Sequence, residues 1–207
     1  MTGYRLVVPD DWFAVDLEPG RRERAVTALT ERQFAGLDNA PHLKAQARQD
    51  LLDQAEAAYA AGGLEMFLSL QRVADIPIPA SLVIFATPAP ETDPNRIEAN
   101  GTGADAIAAL TRELAGRGQR VHVVELPAGP AVRAVPPPPE EAREQTPDEA
   151  DGEAPGQTPA APTLEVFVPV PGGSGWLLLS FAAPLSPLAP ALFRLFDAIC
   201  MTLRWDL

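Results

Sequence analysis

Trp176-Leu-Leu-Leu-Ser-Phe181 is a near-continuous apolar run of strand length, the pattern of a strand covered on both faces. After Pro184, Leu188, Leu192, Leu195, Phe196, Ile199 and Leu203 recur at spacings of three and four. That spacing predicts an amphipathic helix over 185–205 with its apolar stripe laid on a sheet. The strand and its covering helix set the expectation of a sheet-and-helix core around which the other strands pair.

The remaining pattern extends that core. Residues 4–8 and 12–17 read as short strands joined by a Pro9-Asp-Asp11 turn. Two helices come next, over 21–35 and from Pro41 to the Gly62-Gly63 pair, with Gly36 suited to the end of the first. The second has a narrow stripe of Leu43, Ala47, Leu51, Ala55 and Ala58. From residue 64 to 74 the chain alternates, Leu64, Met66, Leu68 and Leu70 on one face and Glu65, Phe67, Ser69 and Gln71 on the other. A buried strand over 81–87 pairs with it as a hairpin. Thr102 is placed to cap a helix over 104–116 whose buried stripe is Ile107, Leu110 and Leu114. Strands over 120–126, with Val121 and Val123 inward, and 131–135 come after it, then strands over 164–170 and 176–181 about a Gly172-Gly-Ser-Gly175 turn.

Strands in sequential pairs, with helices between the pairs, give an α+β fold: a mainly antiparallel sheet covered by helices as a layered α/β/α sandwich. Residues 136–162 break the pattern. Four prolines open that stretch, it has no aromatic or large aliphatic side chain, and it carries seven acids against one arginine. It is expected to be a disordered acidic, proline-rich insertion, because it cannot bury enough surface to offset its ordering entropy. The two strands and one helix C-terminal to it are too little to fold alone, so residues 1–207 are expected to form a single domain.

Charge and composition narrow the function classes. With 207 residues and 46% hydrophobic content the chain can bury a core, and its net charge of -12 argues against nucleic acid. The densest basic cluster, Arg21-Arg22-Glu23-Arg24, is interrupted by an acid and reads as a solvated helix face. No signal-peptide pattern opens the sequence and no apolar run reaches membrane-span length, so a cytoplasmic protein without membrane insertion is expected. A single cysteine, Cys200, excludes an intramolecular disulfide.

Candidate chemistry is sparse. His42 and His122 are the only histidines, too few with one cysteine to build the usual metal site without carboxylates. Gly173-Ser174-Gly175 reads as turn chemistry and not as a nucleophile elbow. Gly101-Thr-Gly103 precedes a helix, yet lacks a phosphate-loop pattern. Cys200, set among Ile199, Met201 and Leu203, is expected to be an inert buried thiol. No catalytic residue, cofactor site or metal site is assigned. Trp12, Trp176 and Trp205 are the candidate partner-binding residues, being of the type enriched at interfaces; the competing reading puts at least two of them in the core.

Val7-Val-Pro-Asp-Asp-Trp12, with a proline turn and a Trp opening the second strand, resembles the start of the Mog1/PsbP-like superfamily. The Trp- and Leu-rich strand over 176–183 and the helix closing on an aromatic also resemble the end of its members. The resemblance implies an antiparallel sheet sandwiched by helices and a non-catalytic protein that binds a partner.

The functional expectation is therefore a non-catalytic adaptor or chaperone-like protein, with a protein partner in a bacterial secretion or multi-protein assembly. The alternative is a small-molecule binder or enzyme whose pocket between sheet and helices uses Glu65, Glu125 or His122. A homodimer through a sheet edge or the C-terminal helix is a third reading.

Overall fold

The computed structural model describes residues 3–34, 41–73, 76–88, 103–137, 163–172, 175–184 and 186–206. Its frame is a seven-stranded sheet in the order β2 (Trp12–Val15), β3 (Gly63–Ser69), β6 (Ser81–Pro88), β10 (Gly175–Ala182), β9 (Thr163–Pro169), β8 (Gly129–Val135) and β7 (Arg120–Leu126). Every neighbouring pair is antiparallel. β10, the strand foreseen as central, is the fourth of the seven and is paired on both sides from Trp176 to Ala182.

Alternation along these strands divides the side chains between two helix layers. Leu177, Leu179 and Phe181 of β10, Leu82 and Ile84 of β6, and Leu164, Val166 and Val168 of β9 pack with Leu192, Phe196 and Ile199 of helix α4 (Ala189–Cys200). On the other face, Val15 and Met66 pack with Val26 and Leu29 of α1 (Pro19–Gln33) and Ala55 and Ala58 of α2 (Pro41–Ala60). Further along that face, Val132, Ala134 and Trp176 pack with Ile107, Leu110 and Leu114 of α3 (Gly103–Gly116). The molecule is thus an α+β fold with helices on both faces of one antiparallel sheet. In the core, Phe181 and Phe196 stack with ring centroids 4.6 Å apart.

Four details depart from the sequence pattern. The opening strand β1 (Gly3–Arg5) does not join the main sheet beside β2; it pairs antiparallel with β11 (Arg204–Asp206), Tyr4 opposite Trp205. The C-terminal helix ends at Cys200, not at residue 205: Leu203 is buried as its spacing required, but it lies past a turn. There Thr202 Oγ1 donates to Ile199 O and accepts from Val7 N, and this tie delivers β11 to β1. The loop between β3 and β6 holds a small hairpin, β4 (Arg72–Val73) with β5 (Ile76–Pro77). Val123, expected inward, is 52% exposed, because among the described residues β7 ends the sheet and α3 covers only its inner side. The Thr102 cap, Gly36, the Gly173-Ser174 turn and most of the acidic insertion lie outside the described residues.

Candidate functional site

The site begins with two rows of residues on α3. Ile107, Leu110 and Leu114 form the row that seats the helix on β8, β9 and Trp176. The neighbouring row, Ala104, Ala108, Thr111 and Ala115, carries only short side chains toward the edge of the sheet. Gly118, at φ 76°, turns the chain after α3 in a conformation glycine adopts without strain, and sends β7 back antiparallel to the helix. Val121 packs against the helix, and beyond it the small row leaves room beside the strand. A groove of about 670 Å³ remains there, with Val123 and Glu125 on the strand wall and Arg112 on the helix wall.

Two properties of this groove bear on what it could accept. Among the described residues β7 is the last strand of the sheet, so alternate residues have backbone N–H and C=O groups pointing away from β8 with no described strand to receive them. The helix wall from Ala104 to Ala115 is also long enough, at ~1.5 Å per residue, to run beside about five extended residues at ~3.3 Å each. An exposed strand edge with an apolar trough beside it is the geometry that accepts an added strand.

The electrostatics are simple. Among the described residues neither Arg112 nor Glu125 forms an ion pair or side-chain hydrogen bond, and the two do not pair across the groove. Thr111, at the floor, has a buried hydroxyl with no partner among the described residues. Glu113 of α3 and Arg117, just past its end, are engaged with each other, Arg117 Nη2 donating to Glu113 Oε1 at 2.6 Å. Glu165 of β9 lies on the same face as the groove but farther into the sheet; burial holds its carboxyl above the ordinary range, opposed by the charge of Arg117.

The three tryptophans are not brought together. Trp12 is 7% exposed, edge-on to Phe196 with centroids 6.3 Å apart, and its Nε1 is buried with no partner among the described residues. Trp176, 3% exposed, lies beneath α3. Trp205 is half-buried, and its Nε1 donates to Ala128 O at 2.9 Å, fastening β11 to the turn between β7 and β8. Their rings fill or tie the core.

The polar trio of the alternative reading is also dispersed. Glu125 faces the α3 side of β7; His122, one position out of phase, faces the α4 side opposite Arg133. Glu65 belongs to β3, five strand spacings away and so on the order of 24 Å, where it accepts a hydrogen bond from Tyr4 Oη at 2.8 Å. Burial, with that carboxylate beside it, pushes the Tyr4 phenol well above its ordinary pKa. Cys200 is 2% exposed, and burial, helped by the Asp197 charge, pushes its thiol up to about 12. Among the described residues no group of three or more His, Cys, Asp or Glu is placed to hold a metal ion, and no helix is long and apolar enough to cross a membrane.

Of the groove residues the sequence offered Glu125 as a candidate site residue and placed Ile107 and Val123 only by their apolar spacing. Ala104, Ala108 and Ala115 left a faint signal, small residues one position beside a large apolar stripe, and nothing in that signal says that the strand next to them is an edge.

No protein-family model matches the chain. No curated protein matches it. Among solved structures the chain is similar to LpqN, described as involved in cell envelope biogenesis of Mycobacterium tuberculosis, at a TM-score of 0.47 and 13% identity over 100% of this chain and 85% of that one. A likeness of that degree carries no functional argument.

Proposed function

We propose that this chain is a non-catalytic, protein-binding adaptor that takes an extended segment of a partner protein as an added strand on β7. The observation that carries the reading is the open edge of β7 beside the α3 groove, with Val123 exposed at its centre. Backbone groups of the edge supply affinity without regard to sequence, and the trough admits the alternate side chains that would point at the helix. A cytoplasmic location and a place in a secretion or multi-protein assembly belong to the same proposal.

Selection of short randomised peptides on the immobilised protein tests it, followed by titration of the selected peptides against three variants. Val123→Lys places a charge in the trough, Ala108→Trp fills it, and His122→Lys changes the same strand on its opposite face. The expected result is binding lost in the first two and kept in the third, with thermal unfolding little changed in all. Peptides that bind all three alike, or a selection that yields none, would remove the reading.

A further inference from the structure

Resting on that reading, we infer that the groove selects a strand with a Lys or Arg directly opposite Glu125, apolar side chains opposite Val123 and Val121, and an acid within reach of Arg112. Three facts lead there. Val121, Val123 and Glu125 alternate along β7 and share the α3 side, so an added antiparallel strand places three of its own alternate side chains opposite them. Two of those positions face valine and the third faces a carboxylate. The carboxylate and the single cation of the helix wall both lack partners among the described residues.

The two charges also stand at different depths along the groove. α3 and β7 run antiparallel about the turn at Gly118, so Glu125, with Pro130 beside it, lies toward the start of the helix, while Arg112 is eight positions beyond Ala104. A strand carrying one cation and one anion satisfies both in a single direction only, and reversing it brings like charges together. The groove therefore reads direction as well as composition.

Charge decides the occupant as well. The chain's own 136–162 stretch, with seven acids against one arginine, would set carboxylates against Glu125. A second copy of β7 paired about Val123 would put Glu125 opposite Val121, leaving both charges unanswered. A basic-apolar segment of another protein answers both.

The test is the same peptide selection carried out on the full chain and on Glu125→Arg and Arg112→Glu, with unfolding curves confirming that each variant folds. On the unaltered chain, aligned peptides are expected to carry a basic residue two positions from an apolar one. Glu125→Arg should change that basic residue to an acid, weaken the original peptides by about five- to tenfold, and restore them when their basic residue is reversed. Peptides that still lose binding to Val123→Lys but show no charge preference, or the same preference on Glu125→Arg, would overturn this inference and leave strand addition standing. A selection that yields no groove-dependent peptide would overturn both. A sedimenting dimer abolished by Val123→Lys would make a second copy the occupant and overturn the inference too.

Discussion

Arg133 of β8 grips Asp197 of α4 with two hydrogen bonds, Nε to Oδ1 at 2.8 Å and Nη2 to Oδ2 at 3.3 Å. The pair joins the outer half of the sheet to the helix on the face opposite the groove. Arg133 reaches it along a strand whose other side chains are largely buried, and its own side chain is only 19% exposed.

Loss of that grip should be felt in stability. Asp197→Ala leaves a mostly buried guanidinium without its acceptor, while the carboxylate it removes was half in water, so the expected cost is about 1 kcal/mol. Urea unfolding of Asp197→Ala, Arg133→Met and the double variant separates the pair's own contribution from the cost of the orphaned charge. Single and double variants that unfold at the same midpoint as the unaltered chain would show the contact to be idle.

Gly63 should tolerate no side chain. A Cβ there would lie 2.7 Å from Ala58 O and 2.9 Å from Leu17 Cδ1, and the first of these is backbone at the end of α2. Gly63 lets β3 start directly under the last turn of α2. Gly63→Ala is expected to cost about 1–3 kcal/mol through overpacking, read as a lower urea midpoint with an unchanged slope. Gly20→Ala is the control, since nothing lies within 4 Å of a Cβ at that position. Equal effects at the two sites would refute the close approach.

The sequence exposed the parts of this fold whose signal is local. The run over 176–181 announced a strand covered on both sides, and β10 is the middle of the sheet. Ile107, Leu110 and Leu114 announced the seated row of α3. Where a pattern is compatible with two backbones, the longer-range partner chose between them. Ile199 and Leu203 keep helical spacing although the helix stops between them, because β1 holds β11 extended. Val121 and Val123 alternate alike, yet only Val121 is partly covered, since which strand ends the sheet depends on pairings made far away in sequence. The groove was illegible for that reason: among the described residues it is a place where the sheet gains no further strand, and such a gap leaves no residue to read.

Phe196 should be the most costly aromatic to remove on the α4 side. It is fully buried, stacks on Phe181 at 4.6 Å, meets Trp12 edge-on at 6.3 Å, and touches Phe193 at 6.0 Å. Phe196→Ala is expected to lose about 3–5 kcal/mol, and Phe196→Leu about 1–2 kcal/mol, because leucine refills part of the space. Chemical denaturation followed by tryptophan fluorescence gives both values. Peptide binding at α3 in Phe196→Leu should be unchanged at temperatures where that variant is folded, since the sheet separates the two faces.

Cys200 links the packing of α4 to pH. Its thiol is pushed up to about 12 by burial first and by the Asp197 carboxylate second, with Arg133 opposing. An unfolded cysteine ionises near ~8.5, so the folded state favours the protonated thiol. Linkage sets the sign: a group whose pKa is raised on folding contributes its stability in full below the unfolded value, and loses it as pH climbs from about 8.5 toward about 12. Stability should therefore be insensitive to this thiol at neutral pH and fall through the alkaline range, and Cys200→Ala should flatten that part of the curve. At pH 8 an aromatic disulfide reagent should label the folded chain only as fast as it opens, and at once in urea. Rapid stoichiometric labelling of the folded protein would mean that the thiol is not held in the core between α4 and the sheet.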